Sequence, residues 1–385
     1  MKLRASVARA QGSSEDIDEV ERQFRLSAAS AGFSEAEGTA DVAAVLVLTG
    51  GTERDVLRFS EGARVVLLFY HSSYNSFAAA SEAAALLGSL GASVWLYDWT
   101  ESSRVLRQAA RAADSLTGLR GLTITSFGGP SEWLVYSDGS GDLLGARVNV
   151  VPLEDLVRDA KASPAESYPL SPTGLEGVSE GDVQKALSLL AAMRRLSKGP
   201  LTVRCFDLLR AYGVTPCLPL AILNSLGTPA GCEGDVPSLL TMYILSSISG
   251  RAAWMGNVTP GPEPGTIGIA HCTFPLSETP SYSLVTHFET GKPLAVRAEV
   301  KEGQVATIAK YDARTRTLRS ISARVRLGTT FTRACRTQVA FSVSEDALRL
   351  FLSKPMGAHY AVVFDDVRPG LRVFSGLAGV KLEEA

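Results

Sequence analysis

The sequence contains no CxxC pair, no GxGxxG, no phosphate-binding P-loop and no uninterrupted run of about 18 apolar residues. Each absence removes a class. The five cysteines, Cys205, Cys217, Cys232, Cys272 and Cys335, are odd in number and widely spaced. That argues against a disulfide scaffold and for reduced thiols in a cytosol. Without an apolar run there is no transmembrane helix to place. The opening residues lack the apolar core of a signal peptide, so a cytoplasmic location is expected. An excess of one charge is missing too. Lys and Arg total 38 against 40 Asp and Glu, a net charge of −2. Nucleic acid and anionic membranes are therefore not expected partners.

What remains is a compact globular protein. The 385 residues are 45% hydrophobic and 20% charged, enough for two or three domains. In the first half, apolar runs at 40–49, 65–70 and 92–97 alternate with helical stretches at 77–90 and 101–115. Such alternation predicts a parallel sheet covered on both faces. A second block follows, with strands at 122–127 and 148–151 and a helix at 153–162. Residues 163–181 are rich in Pro, Ser and Gly and read as a linker. The fold expected is α/β: two small doubly wound, Rossmann-like N-terminal units, then an α+β, β-barrel-like C-terminal domain. The domains are placed at residues 1–118, at 119–200 with linker and helix, and at 201–385.

Gly50-Gly51-Thr52 follows a strand, where phosphates bind readily, but a lone Gly-Gly reads as a tight turn. His71 and Asn75 also follow a strand, at the end where α/β sheets bind ligands. They are candidate substrate contacts or part of a solvated loop.

The second half carries the chemistry. Residues 231–237, Gly-Cys-Glu-Gly-Asp-Val-Pro, open a long apolar helix at 238–249. Glu233 and Asp235 stand at its N-terminus, as caps or as functional acids. Histidine occurs only four times, at 71, 271, 287 and 359. His271 and His359 lie at the ends of apolar strands, and Asn257 lies where an apolar run turns polar. A carboxylate, an amide and two imidazoles at such edges suit a divalent cation such as Mn²⁺. His287 and Glu289 could line a polyol site or face outward from a strand. Arg336 and Gln338 share one strand face and could bind substrate hydroxyls or water. Cys232 and Cys272 read as packing residues. Residues 294–342 alternate β-type runs with turns, as an antiparallel sheet or barrel does.

An ordered set of segments now invites comparison. It comprises Cys232-Glu233-Gly234-Asp235, the helix through Leu239-Leu240-Thr241-Met242, Met255-Gly256-Asn257-Val258, Ile269-Ala270-His271-Cys272 and Gly357-Ala358-His359-Tyr360. In order and approximate spacing it resembles the catalytic region of the L-fucose and L-arabinose isomerase superfamily, over residues 195 to 365. The resemblance implies a metal-dependent isomerase that interconverts an aldose and a ketose through an ene-diol. It implies Glu233 as Mn²⁺ ligand and proton-transfer residue, with His271 and His359 as further ligands. Asn257 falls where that family has a second acid. An amide oxygen can bind a metal, but it cannot accept a proton as a carboxylate does. The alternative is therefore a sugar-binding homologue that is non-catalytic or has altered chemistry. Asp235, His287, Arg336, Gln338, His71 and Asn75 are the candidate contacts to a monosaccharide. The resemblance also implies a trimer or hexamer, with the loop at 70–75 reaching a neighbouring subunit.

Overall fold

The computed structural model describes residues 1–10, 17–35 and 38–385, and the chain divides into two compact units. The first holds residues 1–117 and 369–380. Its strands are β1 (Leu3–Ala8), β2 (Val42–Val47), β3 (Val65–Tyr70) and β4 (Ser93–Asp98), all parallel and in that spatial order. Its helices are α1 (Asp18–Ser30), α2 (Glu53–Phe59), α3 (Ser76–Ser89) and α4 (Ser102–Leu119). Every residue of β2 is buried, as expected for a strand covered on both faces. On one face, Val45, Val47, Val66 and Leu68 pack with Val56 of α2 and Ala79, Ala80 and Ala83 of α3. On the other, Phe24 of α1 meets Phe69 of β3 at a ring separation of 5.3 Å.

The second unit holds residues 118–368 and 381–385 and contains three sheets. The first is parallel: β5 (Thr123–Phe127), β6 (Arg147–Val151), β8 (Leu201–Val203) and β9 (Ala230–Cys232). β7 (Leu175–Glu176) lies within the Pro/Ser/Gly-rich stretch and pairs with a later strand. Helices α5 (Leu153–Ala162), α6 (Glu180–Leu196), α7 (Cys205–Tyr212) and α8 (Cys217–Ser225) connect the strands. Ser179 and Asp182 form a reciprocal capping box that starts α6. The spatial order is β6-β5-β8-β9, so the winding reverses between β5 and β8. Because β5 pairs with β8, this one sheet spans residue 200.

Helix α9 (Val236–Ser249) follows β9 and buries residues on all sides, among them Leu239, Leu240, Met242, Ile244 and Leu245. A helix apolar all round belongs inside a core. Asp235 caps its N-terminus, and Gly250, at φ 78°, ends it. The helix packs against a six-stranded antiparallel barrel. Its members are β10 (Trp254–Pro260), β11 (Thr266–His271), β14 (Val305–Asp312), β15 (Thr317–Leu327), β16 (Thr337–Ser342) and β17 (His359–Val363). They run β14-β17-β10-β11-β16-β15, and a β14–β15 pairing closes the ring. Closure leaves no free edge among these six strands. β12 (Tyr282–Thr286) and β13 (Pro293–Ala298) pair beside β7 in a small sheet. Helix α10 (Glu345–Ser353) leads into β17. Helix α11 (Arg368–Ala378) then returns to the first unit, where Arg372 stacks 4.3 Å over Trp95. The last strand, β18 (Lys381–Glu384), adds parallel to β15.

Candidate metal centre

In an open α/β sheet, the crevice outside the carboxyl ends at the point of reversal is the natural ligand site. Here the loop after β5 carries Trp133, the start of α7 carries Cys205 and Phe206, and the turn after β9 carries Glu233. All of them line a cavity of about 610 Å³. The barrel strands and their adjoining loops complete the wall with Asn257, His271, Cys272, Cys335 and Gly357, joined by His287 and Glu289 from the connection between Thr286 and Pro293.

The turn that presents Glu233 is held against its own preference. Glu233 has φ 64°, a left-handed conformation that non-glycine residues seldom adopt. Its carbonyl accepts from Ser131 N at 2.8 Å, and Gly234 N donates to Thr202 Oγ1 at 3.1 Å. Gly234, at φ 76°, lies so close to Gly129 that a Cβ would sit 2.3 Å from its carbonyl oxygen. Trp133 Nε1 donates to Glu233 Oε2 at 2.6 Å. The other oxygen, Oε1, stands 3.5 Å from His359 Nε2 and 3.9 Å from His271 Nε2.

These contacts decide the charges. Burial alone would raise the Glu233 carboxyl. The nearby His359, with the charge of His271 and the Trp133 hydrogen bond, instead brings it down to about 2. His359 is more deeply buried, which would lower it, but its hydrogen bond to Asp235 and the charges of Glu233 and Asp235 push it up to about 9. His271 lacks such partners. Burial and the neighbouring His359 charge take it down to about 4, against the pull of Glu233.

Glu233, His271 and His359 each offer one ligand atom, and these atoms lie within 4.8 Å of one another. Both ring nitrogens of His271 and Nε2 of His359 are buried with no hydrogen-bond partner. Buried polar atoms are almost always satisfied, so orphans converging on a carboxylate fit a divalent cation. Asn257 stands opposite both His359 on β17 and Ala270 on β11, between the two histidine-bearing strands. His287 and Glu289 also line the cavity, and the His287 ring packs edge-on against Phe206 at 5.4 Å.

Five candidate contacts have partners elsewhere in the fold. Asp235 is fully buried behind the site. It accepts from His359 Nδ1 at 3.0 Å and from Ser238 N at 2.8 Å, so it serves the histidine and the helix rather than the cavity. Arg336 donates to Thr286 O and Oγ1 and covers the Phe288 ring, bracing a loop. Gln338 is buried with all four hydrogen bonds used: its oxygen accepts from Phe331 N and Thr332 N, and its amide donates to Thr332 O and Cys335 O. Buried amides saturated in this way have nothing left for a ligand. His71 and Asn75 belong to the first unit. His71 Nδ1 accepts from Ser73 N, and Asn75 is a left-handed residue before α3, so both shape their own turn. Cys217 and Cys272 pack with Val285 and Ala295 as small apolar residues. Trp133, Phe206 and Lys310 escaped the sequence reading. An aromatic soon after the strand ending Phe127-Gly128-Gly129, and a lysine inside an apolar strand, were the available signals.

No protein-family profile matches the chain. Two curated proteins resemble parts of it. A sulfoquinovose isomerase of Alkalicoccus urumqiensis is 30% identical over 129 residues, 30% of this chain and 29% of the relative. A sulfoquinovose isomerase of Clostridium sp. (strain MSTE9) is 28% identical over 201 residues, 48% of this chain and 44% of the relative. The matched stretches span less than half the length of either relative.

Proposed function

We propose that the protein is a metal-dependent sugar isomerase of the fucose and arabinose isomerase type, with Rossmann-like α/β units carrying the catalytic barrel. One observation carries this reading. Glu233 Oε1 faces two unsatisfied histidine nitrogens, and Glu233 and His271 line a cavity large enough for a monosaccharide, with His359 buried behind them. The two isomerase relatives support it, because their named activity is the same class of reaction.

Glu233, His271 and His359 would hold the cation, with Asn257 as an amide-oxygen ligand. Mn²⁺ suits this oxygen and nitrogen donor set. Once bound, it supplies Lewis-acid polarisation of a substrate carbonyl. The rest is the work of the chain. Glu233 takes a proton from C2 of the aldose and returns it to C1, while the O2 hydroxyl proton passes to O1; the two transfers together interconvert aldose and ketose. The Trp133 indole holds Oε2 in place while Oε1 faces the histidines. With an amide at 257, a single carboxylate carries the proton both ways. Phe206 and Leu209 give the cavity an apolar wall that limits water. A homo-oligomer and a cytoplasmic setting accompany this reading. Among the described residues, no helix is long and apolar enough to cross a membrane.

The second reading rests on Asn257 itself: a homologue that binds sugar without isomerising it. Metal content together with turnover on pentoses, hexoses, 6-deoxy sugars and sulfoquinovose, with Mn²⁺ added, separates the two. Conversion with bound metal supports the isomerase. Bound metal without conversion of any sugar supports the second reading. Failure to bind metal, with no conversion, overturns the isomerase reading and leaves the resemblance one of fold alone.

A further inference from the structure

Behind His359 lies a line of buried polar groups that reaches away from the cavity. His359, Asp235, Ser238 and Lys310 are all buried, and Lys310 on β14 does not line the cavity. Lys310 Nζ lies 2.7 Å from Ser238 Oγ and 3.5 Å from Asp235 Oδ2. Ser238 Oγ lies 2.8 Å from the same Oδ2, which also lies 3.0 Å from His359 Nδ1. The remaining oxygen, Oδ1, accepts from Ser238 N at 2.8 Å.

The direction of every bond in this line is set by what its ends can do. An ammonium only donates, and a carboxylate only accepts. The Ser238 hydroxyl therefore accepts from Lys310 and donates onward to Asp235. Asp235 has only lone pairs to offer His359, so Nδ1 must carry a hydrogen. That leaves the Nε2 lone pair for the space it shares with Glu233 Oε1. We propose that Lys310 is a positioning residue for the metal centre: through Ser238 and Asp235 it fixes His359 as the Nδ1–H tautomer, with Nε2 free to ligate. This rests on the reading of Glu233, His271 and His359 as ligands. It extends that site to a residue that touches neither metal nor substrate. Outer groups that orient ligating histidines typically change metal affinity by about 10- to 100-fold when replaced.

The test uses the full chain and Mn²⁺ alone, titrated by calorimetry, with Glu233→Ala as the reference for the site. Lys310→Met removes the donor at similar length. Ser238→Ala removes the hydroxyl that links Lys310 to Asp235 by hydrogen bonds, and leaves the 3.5 Å Lys310–Asp235 contact and the backbone N–H that meets Asp235. Asp235→Asn keeps the helix cap but turns an NH₂ toward His359, which forces Nδ1 to accept. Expected are a roughly tenfold loss of Mn²⁺ affinity in Lys310→Met and in Ser238→Ala, and about 100-fold in Asp235→Asn. Lys310→Met combined with Asp235→Asn should bind no more weakly than Asp235→Asn alone. Nitrogen-15 spectra of the histidine rings at pH 10, without metal, should show Nδ1–H in the wild type and Nε2–H in Asp235→Asn. A merely structural role would not move that signature. Should Lys310→Met fail to fold, Ser238→Ala decides. Wild-type affinity in the folded variants, or an unchanged tautomer in Asp235→Asn, overturns this inference alone. A wild-type chain that takes up no Mn²⁺ overturns the metal reading, and this inference with it.

Discussion

His359 and Asp235 stand 124 positions apart in the chain, yet they meet through a 3.0 Å hydrogen bond from Nδ1 to Oδ2, with both side chains buried. The bond ties the first residue of a barrel strand to the cap of the helix packed against that barrel. The same aspartate thus orders the helix and aims the imidazole. Glu233, two residues earlier, meets the other side of that ring. A single tight turn therefore supplies both partners of one histidine.

Replacing Glu233 should abolish the site's chemistry. Glu233→Gln keeps the size of the side chain but removes its charge and its capacity to take a proton. Turnover should fall by at least about a hundredfold, with Mn²⁺ affinity falling as well. Steady-state rates and bound-metal analysis check both. A variant with full activity and metal content would remove Glu233 from the mechanism.

Asn257→Asp adds a carboxylate beside the two histidine-bearing strands. Mn²⁺ should bind at least about tenfold more tightly, as a charged ligand replaces a neutral one. If Glu233 alone moves the proton, kcat should change by no more than a few-fold. Unchanged affinity would show that Asn257 does not ligate.

Gly234→Ala should destabilise the fold. The added Cβ meets the Gly129 carbonyl, and φ 76° disfavours any side chain. A loss of at least about 2 kcal/mol is expected, read from denaturant midpoints. Wild-type stability would mean that the turn is free to move.

The metal-free protein should lose stability as pH rises from about 6.5 to 9. His359 binds its proton more tightly folded, at about 9, than unfolded, near 6.5. Its contribution is therefore complete below 6.5 and gone above 9. His271 works in the opposite sense. Held down to about 4, it costs stability as pH falls from 6.5 toward 4. The two place a maximum near pH 6.5. If His359 ligates Mn²⁺, the cation would take the place of its proton and should flatten the decline above pH 6.5. Urea melts at pH 5, 6.5 and 9, with and without Mn²⁺, test this. A flat metal-free profile between 6.5 and 9 would contradict the contacts of His359.

Gln338→Ala should act on stability alone. Four hydrogen bonds tie this amide to the segment 331–335. Their loss should cost about 2 to 3 kcal/mol and leave KM within a few-fold. A large rise in KM with unchanged stability would restore Gln338 to the substrate site.

By itself the sequence determined much of the local structure. Apolar runs such as Val65–Tyr70 and alternations such as Leu294–Ser342 state which residues leave water, and so which elements form. It also marked the candidate ligands Glu233, Asn257, His271 and His359 by residue type at the edges of apolar segments, and the structure gathers Glu233, His271 and His359. The short elements β1, β8, α7 and α8 carried too little periodicity to be read. Only the tertiary structure decided which polar residues face the cavity. Arg336 and Gln338 share a strand face, and Asp235 lies two residues from Glu233. Their roles follow from partners at Thr286, Thr332 and His359 that no local pattern encodes. Hydrophobic periodicity reports burial along one element. The hydrogen-bond partner of a buried polar group is set by strand register and helix docking between distant segments. For that reason Lys310, a buried charge inside a largely apolar strand, acquires a reason only once Ser238 and Asp235 are packed against it.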